Sequence, residues 1–137
     1  MYDEGRGVLQ DDKTAVKWYT LAAEQGYANA QNNLGHMYRK GQGVPQNDKT
    51  AVKWYTLAAE QGYASAQTSL GAMYGKGQGV PQDYIRAHMW WNIAATSGDS
   101  KSASKNRDTV AKRMTSNQIE TAQKLARECV RKKYKGC

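Results

Sequence analysis

Apolar positions along this chain fall three and four apart, the spacing that lines one face of an α-helix. The stretch from Asn29 to Lys40 carries Ala30, Leu34, Met37 and Tyr38 in that pattern, and the stretch from Asp48 to Gln61 carries Ala51, Val52, Trp54, Tyr55, Ala58 and Ala59. Between them Gly41-Gln42-Gly43-Val44-Pro45-Gln46 interrupts the period. Glycine at a helix end with proline shortly after is a stop signal. Each such pair reads as a helical hairpin with an aromatic side and a small-residue side. Asn29 and Ser65 are expected to cap the first helices and Asp11, Asn47 and Asp83 the second, with Gly62 at the C′ position that ends a second helix. Gly35 and Gly71 lie inside first helices, where glycine costs about 1 kcal/mol relative to alanine. Close approach to the alanines of the paired helix is the expected compensation.

The hairpins are copies of one another. Lys13 to Ala28 reads KTAVKWYTLAAEQGYA, and Lys49 to Ala64 repeats those sixteen residues unchanged, thirty-six positions later. Ala15, Trp18, Ala22, Ala23 and Gly26 return as Ala51, Trp54, Ala58, Ala59 and Gly62, then as Ala87, Trp90, Ala94, Ala95 and Gly98. A fixed period of this size signals a stacked array in which each unit supplies the packing surface its neighbour lacks. Met1-Tyr2 aligns with Met37-Tyr38 and Met73-Tyr74, so the chain is expected to begin in mid-repeat as a piece of a longer protein, leaving Trp18 and Tyr19 poorly covered and open to end-to-end self-association.

The third copy departs from the others, with Met89 for Lys17 and Lys53, Trp91 for Tyr19 and Tyr55, and His88 for Val16 and Val52. Methionine in place of an exposed lysine implies that another helix covers that face. The segment after Gly98 is expected to supply it as two helices, near Lys101 to Arg113 and Ser116 to Tyr134, with Thr115 and Gln118 at capping-box spacing. In the last helix Ile119, Ala122, Ala126, Cys129 and Val130 fall on one side and Lys124, Arg127, Arg131 and Lys135 on the other.

Composition sharpens this picture. Hydrophobic residues are only 39% of the chain, and the abundance of alanine beside Trp and Tyr suits close helix packing. The net charge of +8 is unevenly placed: residues 1–98 hold nine Lys/Arg against eight Asp/Glu, and residues 99–137 eleven against four. The basic character therefore belongs to the C-terminal segment. No run of 18 or more apolar residues is present, so no transmembrane segment is expected.

The strings LGHMYRKGQGVPQNDKTAVKWYTLAAEQGYASAQ and LGAMYGKGQGVPQDYIRAHMWWNIAATSGD resemble Sel1-like repeats, a 36-residue relative of the tetratricopeptide repeat. Small residues, the G-x-G-V loop, the Trp and the A-A-x-x-G ending all recur in phase. The resemblance implies an all-α fold, a right-handed α-solenoid of antiparallel helix pairs whose first helices line a concave surface. Residues 1–98 would be repeats, comprising a partial repeat 1–28 and full repeats 29–64 and 65–98, and residues 99–137 a pair of capping helices. The resemblance implies no particular activity.

Candidate chemistry is sparse. GQGVPQ lacks the third glycine of a dinucleotide fingerprint and follows a helix rather than a strand, which makes it a structural turn. His36 and His88 occupy non-equivalent positions with no Cys or carboxylate at metal-ligand spacing, so no metal or other cofactor is expected. Cys129 and Cys137 would stand about 12 Å apart in one continuous helix, beyond the roughly 7 Å a disulfide spans. A bond requires the chain to leave the helix and turn back, which Gly136 and an end at Lys133 or Tyr134 permit. We expect that bond, since a terminal cysteine has no packing role; the alternative is two unrelated thiols. A bridge favours an exported, oxidising location and free thiols a cytoplasmic one.

The most informative comparison is between copies. Their Trp-bearing helices are identical, whereas the first helices differ at Asn29/Ser65, Asn32/Thr68, Asn33/Ser69, His36/Ala72 and Arg39/Gly75. On the concave side these would be the positions a partner touches, or else neutral drift on a solvent face. The reading is a non-enzymatic scaffold that binds a protein or peptide through Asn29, Asn32, Asn33, His36, Arg39, Thr68 and Ser69. The alternatives are a hydrolase of cell-wall-like or β-lactam substrates, an activity claimed for some members of the resembled family, and electrostatic nucleic-acid binding through the basic cap. The second of these lacks an exposed aromatic row for base stacking.

Overall fold

A computed structural model describes residues 6–137, and among these the secondary structure is seven α-helices and no strand. They are α1 (Arg6–Glu24), α2 (Ala28–Lys40), α3 (Asp48–Ala59), α4 (Ala64–Lys76), α5 (Tyr84–Ser97), α6 (Ser100–Ala111) and α7 (Ser116–Arg131). Consecutive helices from α1 to α6 pack on one another, and α7 folds back onto α5. The result is an all-α solenoid of helix pairs, with α6 and α7 both packed on α5. None of the described helices is long and apolar enough to cross a membrane. Met1 and Tyr2, expected at the end of a preceding first helix, lie outside the described residues.

The second helices begin as the sequence implies. Asn47 Oδ1 accepts from the Thr50 amide at 3.1 Å and Asp83 Oδ1 from the Arg86 amide at 3.0 Å. Asp11 does not cap: α1 already begins at Arg6, because Leu9 stands where Pro45 and Pro81 stop the other copies and nothing breaks the helix there. The first helices correct a second expectation. Their N-caps are Tyr27 and Tyr63, with no side-chain cap bond, and Asn29 and Ser65 lie inside the first turn. The preceding turn fixes the entry instead. The Gly62 amide donates to Ala59 O and the Tyr63 amide to Ala58 O, the paired bonds that close a helix with glycine at C′. Gln67 Nε2 then donates to Ala59 O at 3.1 Å, as Gln31 does to Ala23 O.

The G-x-G loops are packing devices. Gly43 has φ 75°, and a Cβ there would come within 2.5 Å of Asp12 O; Gly79 stands in the same relation to Asp48 O. Only glycine lets each loop lie against the preceding second helix. Gly35 and Gly71 make room for something other than alanine. A Cβ on Gly35 would meet the Tyr55 ring at 2.7 Å, and one on Gly71 would meet Trp91 Nε1 at 2.6 Å. The paired helix thus seats its aromatic ring, not its small residues, against the glycine.

Coverage grows along the array: Trp18 is 63% exposed, Trp54 is half-buried and Trp90 is 2% exposed. The Met89 side chain, buried where Lys17 and Lys53 are exposed, packs in one core with Ala126 and Cys129 of α7. Ala87, Trp91 and Ala94 pack against Ala103 and Val110 of α6. The capping box is present, with the Gln118 amide donating to Thr115 Oγ1 and the Thr115 amide to Gln118 Oε1. Val130, expected on the apolar side, is exposed, while Leu125 packs against the core.

Cys129 and Cys137 are disulfide-bonded, with Cα atoms 5.6 Å apart. Helix α7 stops at Arg131, and Lys133, Tyr134 and Gly136 all have positive φ, which reverses the chain. The tail is tied to two other helices: Arg86 donates to the Cys137 carbonyl, and the Gly136 amide reaches Glu60 Oε2 at 3.4 Å.

Candidate functional site

The variable positions of α2 and α4 form two groups. Asn29 is exposed near the start of α2, and Asn33 and His36 follow at four- and seven-residue spacing, both half-buried. These three share one face of the helix. Asn32 belongs elsewhere. It is 4% exposed, with Nδ2 at 3.4 Å from Ser65 Oγ and 3.5 Å from His36 Nε2. The expectation that Asn32 reads a partner is corrected by this burial; it packs α2 against α4 from beneath. Thr68 is also engaged internally, its hydroxyl 2.6 Å from Asp99 Oδ2 and its carbonyl accepting from Trp91 Nε1 at 3.0 Å. That pairing fastens α4 to the entry of α6 and to α5.

The centre of the site is a residue that sequence reading did not select. Tyr55 of α3 is fully buried, with its hydroxyl 2.6 Å from His36 Nδ1, and Arg39 Nε donates to that hydroxyl at 3.1 Å. The rings of His36 and Tyr55 meet edge to face with centroids 5.2 Å apart. Burial, then Arg39 and Lys40, hold the His36 pKa below its ordinary value. The imidazole is therefore neutral near pH 7, and Nδ1 accepts the phenolic proton while Arg39 supplies the phenol oxygen with its own donor. Burial raises the Tyr55 pKa, which keeps the phenol protonated. A signal was available: positions 36, 39 and 55 change together between copies, to Ala72, Gly75 and Trp91.

Arg39 faces Thr68 and Ser69 of α4 across a cavity of about 160 Å³, floored by Ala72 and Met73. The structure thus brings Arg39, Thr68 and Ser69 to one opening. It places His36 on the Tyr55 side of Arg39, at 3.5 Å from Nη2. The guanidinium of Arg39 and the Ser69 hydroxyl thus border one opening whose Arg39 side is braced by Tyr55. Among the described residues no three His, Cys, Asp or Glu side chains gather at metal-binding distance. Lys124, Arg127, Arg131 and Lys135 are exposed, and α7 packs on α5.

Residues 1–27, 28–63 and 64–99 each match the Sel1 repeat. Among solved structures, the chain is similar to c5321, a protective antigen present in uropathogenic Escherichia coli strains that displays an SLR fold, with 37% identity and a TM-score of 0.86 over 89% of this chain and 26% of that one. It is also similar to a Sel1 repeat protein from Oxalobacter formigenes, with 41% identity and a TM-score of 0.65 over 66% of this chain and 26% of that one. The chain therefore spans about a quarter of the length of either structure. No curated protein matches it.

Proposed function

This chain belongs to the Sel1 repeat family, and from that premise we propose that it is a non-enzymatic scaffold that binds a protein or peptide across its first helices, α2 and α4. Proteins built from Sel1 repeats generally serve as protein–protein interaction scaffolds. In this reading Asn29, Asn33, His36, Arg39 and Ser69 contact the partner on a concave surface, while Thr68 lines the opening with its hydroxyl held by Asp99. The observation that carries the proposal is the opening between Arg39 on α2 and Thr68 and Ser69 on α4. It lies where α2 and α4 differ, whereas the stretches that lead into them, Lys13 to Ala28 and Lys49 to Ala64, are identical.

A photo-crosslinking residue at Ser69 in the full-length protein, expressed in the organism that encodes it, is expected to yield a discrete adduct. The same residue at Lys124 on the cap is expected to yield none. Adducts from Lys124 alone would move binding to the basic cap and overturn the reading.

A further inference from the structure

A larger cavity, about 590 Å³, opens on the other side of α4, between it, α5 and the last turns of α6. Its origin can be read by stepping thirty-six positions from the His36–Tyr55–Arg39 cluster. There the two long polar side chains become Ala72 and Gly75, and the phenol becomes the indole of Trp91. What His36 and Arg39 fill in one unit is shared in the next between the larger Trp91 indole and the cavity beside it. Trp91 is held by the bond from Nε1 to Thr68 O, and its Cη2 edge lies 3.2 Å from where a Gly75 Cβ would be. The cavity therefore has a fixed apolar floor of Trp91, Ala72 and Val110.

Its rim carries one sign of charge. Lys76 and Arg113 line it, both are exposed, and neither forms an ion pair among the described residues. The smaller cavity beyond α4 shares Ala72 and Lys76 and adds Arg39. No carboxylate lines either opening.

We infer that these adjoining cavities dock an acidic peptide segment carrying one bulky apolar side chain, seated over Trp91 and flanked by Lys76 and Arg113. The inference rests on the scaffold reading and names the chemistry of its partner. An apolar side chain gains by leaving water for the indole floor, and flanking carboxylates meet three cations along one path. A nucleic acid is the poorer fit, since the floor is a single indole edge set between Ala72 and Val110, not a row of aromatic faces on which successive bases could stack.

The probe is a fluorescein-labelled peptide, Glu-Asp-Leu-Phe-Glu-Asp, followed by anisotropy on the full chain at low ionic strength, where exposed charges are least screened. Binding is expected to weaken tenfold or more in Lys76→Glu with Arg113→Glu, and in Thr109→Trp, which fills the cavity from an exposed position. Replacing Leu-Phe by Gly-Ser in the peptide should abolish it. All substituted residues are exposed, so unchanged circular dichroism and melting are expected for each variant. Equal binding of a Lys-for-acid peptide, or indifference to both variants, would overturn the inference; so would stronger, equally variant-sensitive binding of an oligothymidylate. If these fail while Ser69 still crosslinks a partner, only this inference falls. If Ser69 yields no adduct, the scaffold reading falls as well.

Discussion

Gly35 and the ring of Tyr55 compete for one volume: a Cβ on the glycine would stand 2.7 Å from Cδ1 and Cε1 of the tyrosine, a ring with no solvent exposure. Helix propensity alone predicts that Gly35→Ala stabilises by about 1 kcal/mol. Overpacking in a closed core costs about 1–3 kcal/mol, and the ring has nowhere to move. We expect net destabilisation of up to about 2 kcal/mol in urea unfolding. Gly71→Ala should behave alike, because Trp91 is pinned by its bond to Thr68 O. A stabilised alanine variant at either site would remove the packing account.

Tyr55→Phe keeps the ring and deletes the hydroxyl between Arg39 and His36. Both partners lose a bond and remain part-buried, so the expected loss is about 1–2 kcal/mol. A double-mutant cycle with His36→Ala should give a coupling of at least about 0.5 kcal/mol. Additive effects would mean that the 2.6 Å contact contributes nothing to stability.

Much of this fold was legible in the sequence, and what was missed has a common cause. The thirty-six-residue period, the Asn47 and Asp83 caps, the Thr115–Gln118 box and the reversal before Cys137 are all local, set by residues a few positions apart. The misreadings concern contacts between helices. Periodicity places Asn32 on the varying helix, but only the approach of α4 decides that it is buried against Ser65. It likewise says that Gly35 needs a close neighbour, without saying which residue of α3 arrives there. Tyr55 was counted as core, and its hydroxyl is what makes it part of the site. At the other end, Asp11 is a good capping residue that caps nothing, because a helix-stopping proline is missing two places before it.

Acid should weaken the fold through its two histidines. Burial, Arg39 and Lys40 hold the pKa of His36 below its ordinary value of 6.5. Burial and Arg107 do the same for His88, with Asp108 acting in the opposite direction. Between those lowered values and 6.5 the unfolded chain binds more protons than the folded one, so stability rises with pH across that interval. It should be fully present above 6.5 and be lost as pH falls through the folded-state values. Urea midpoints at about pH 7.5, 6.5 and 5.5 would report this. His88→Leu removes a 3% exposed imidazole whose Nδ1 has no partner, and should flatten the slope without lowering stability at pH 7.5. An unchanged slope would assign the acid sensitivity to other groups.

The disulfide closes a short loop, its two cysteines eight residues apart, for which chain entropy predicts about 2.5 kcal/mol. More than entropy rides on it. The bond positions the Cys137 carbonyl that accepts from Arg86, and it holds Tyr134 within 3.1 Å of where a Gly62 Cβ would be. The cap is thereby fastened to the end of α3 and the start of α5, not only to the face of α5. Cys129→Ala with Cys137→Ala should therefore cost at least the entropic figure, and reductant should lower the wild-type urea midpoint while leaving the variant unmoved. Hydrogen exchange should show new openings at the last turn of α7 first, with α1 and α2 unaffected. A reductant-insensitive wild type would mean that packing of Ala122, Ala126 and Leu125 alone holds the cap in place.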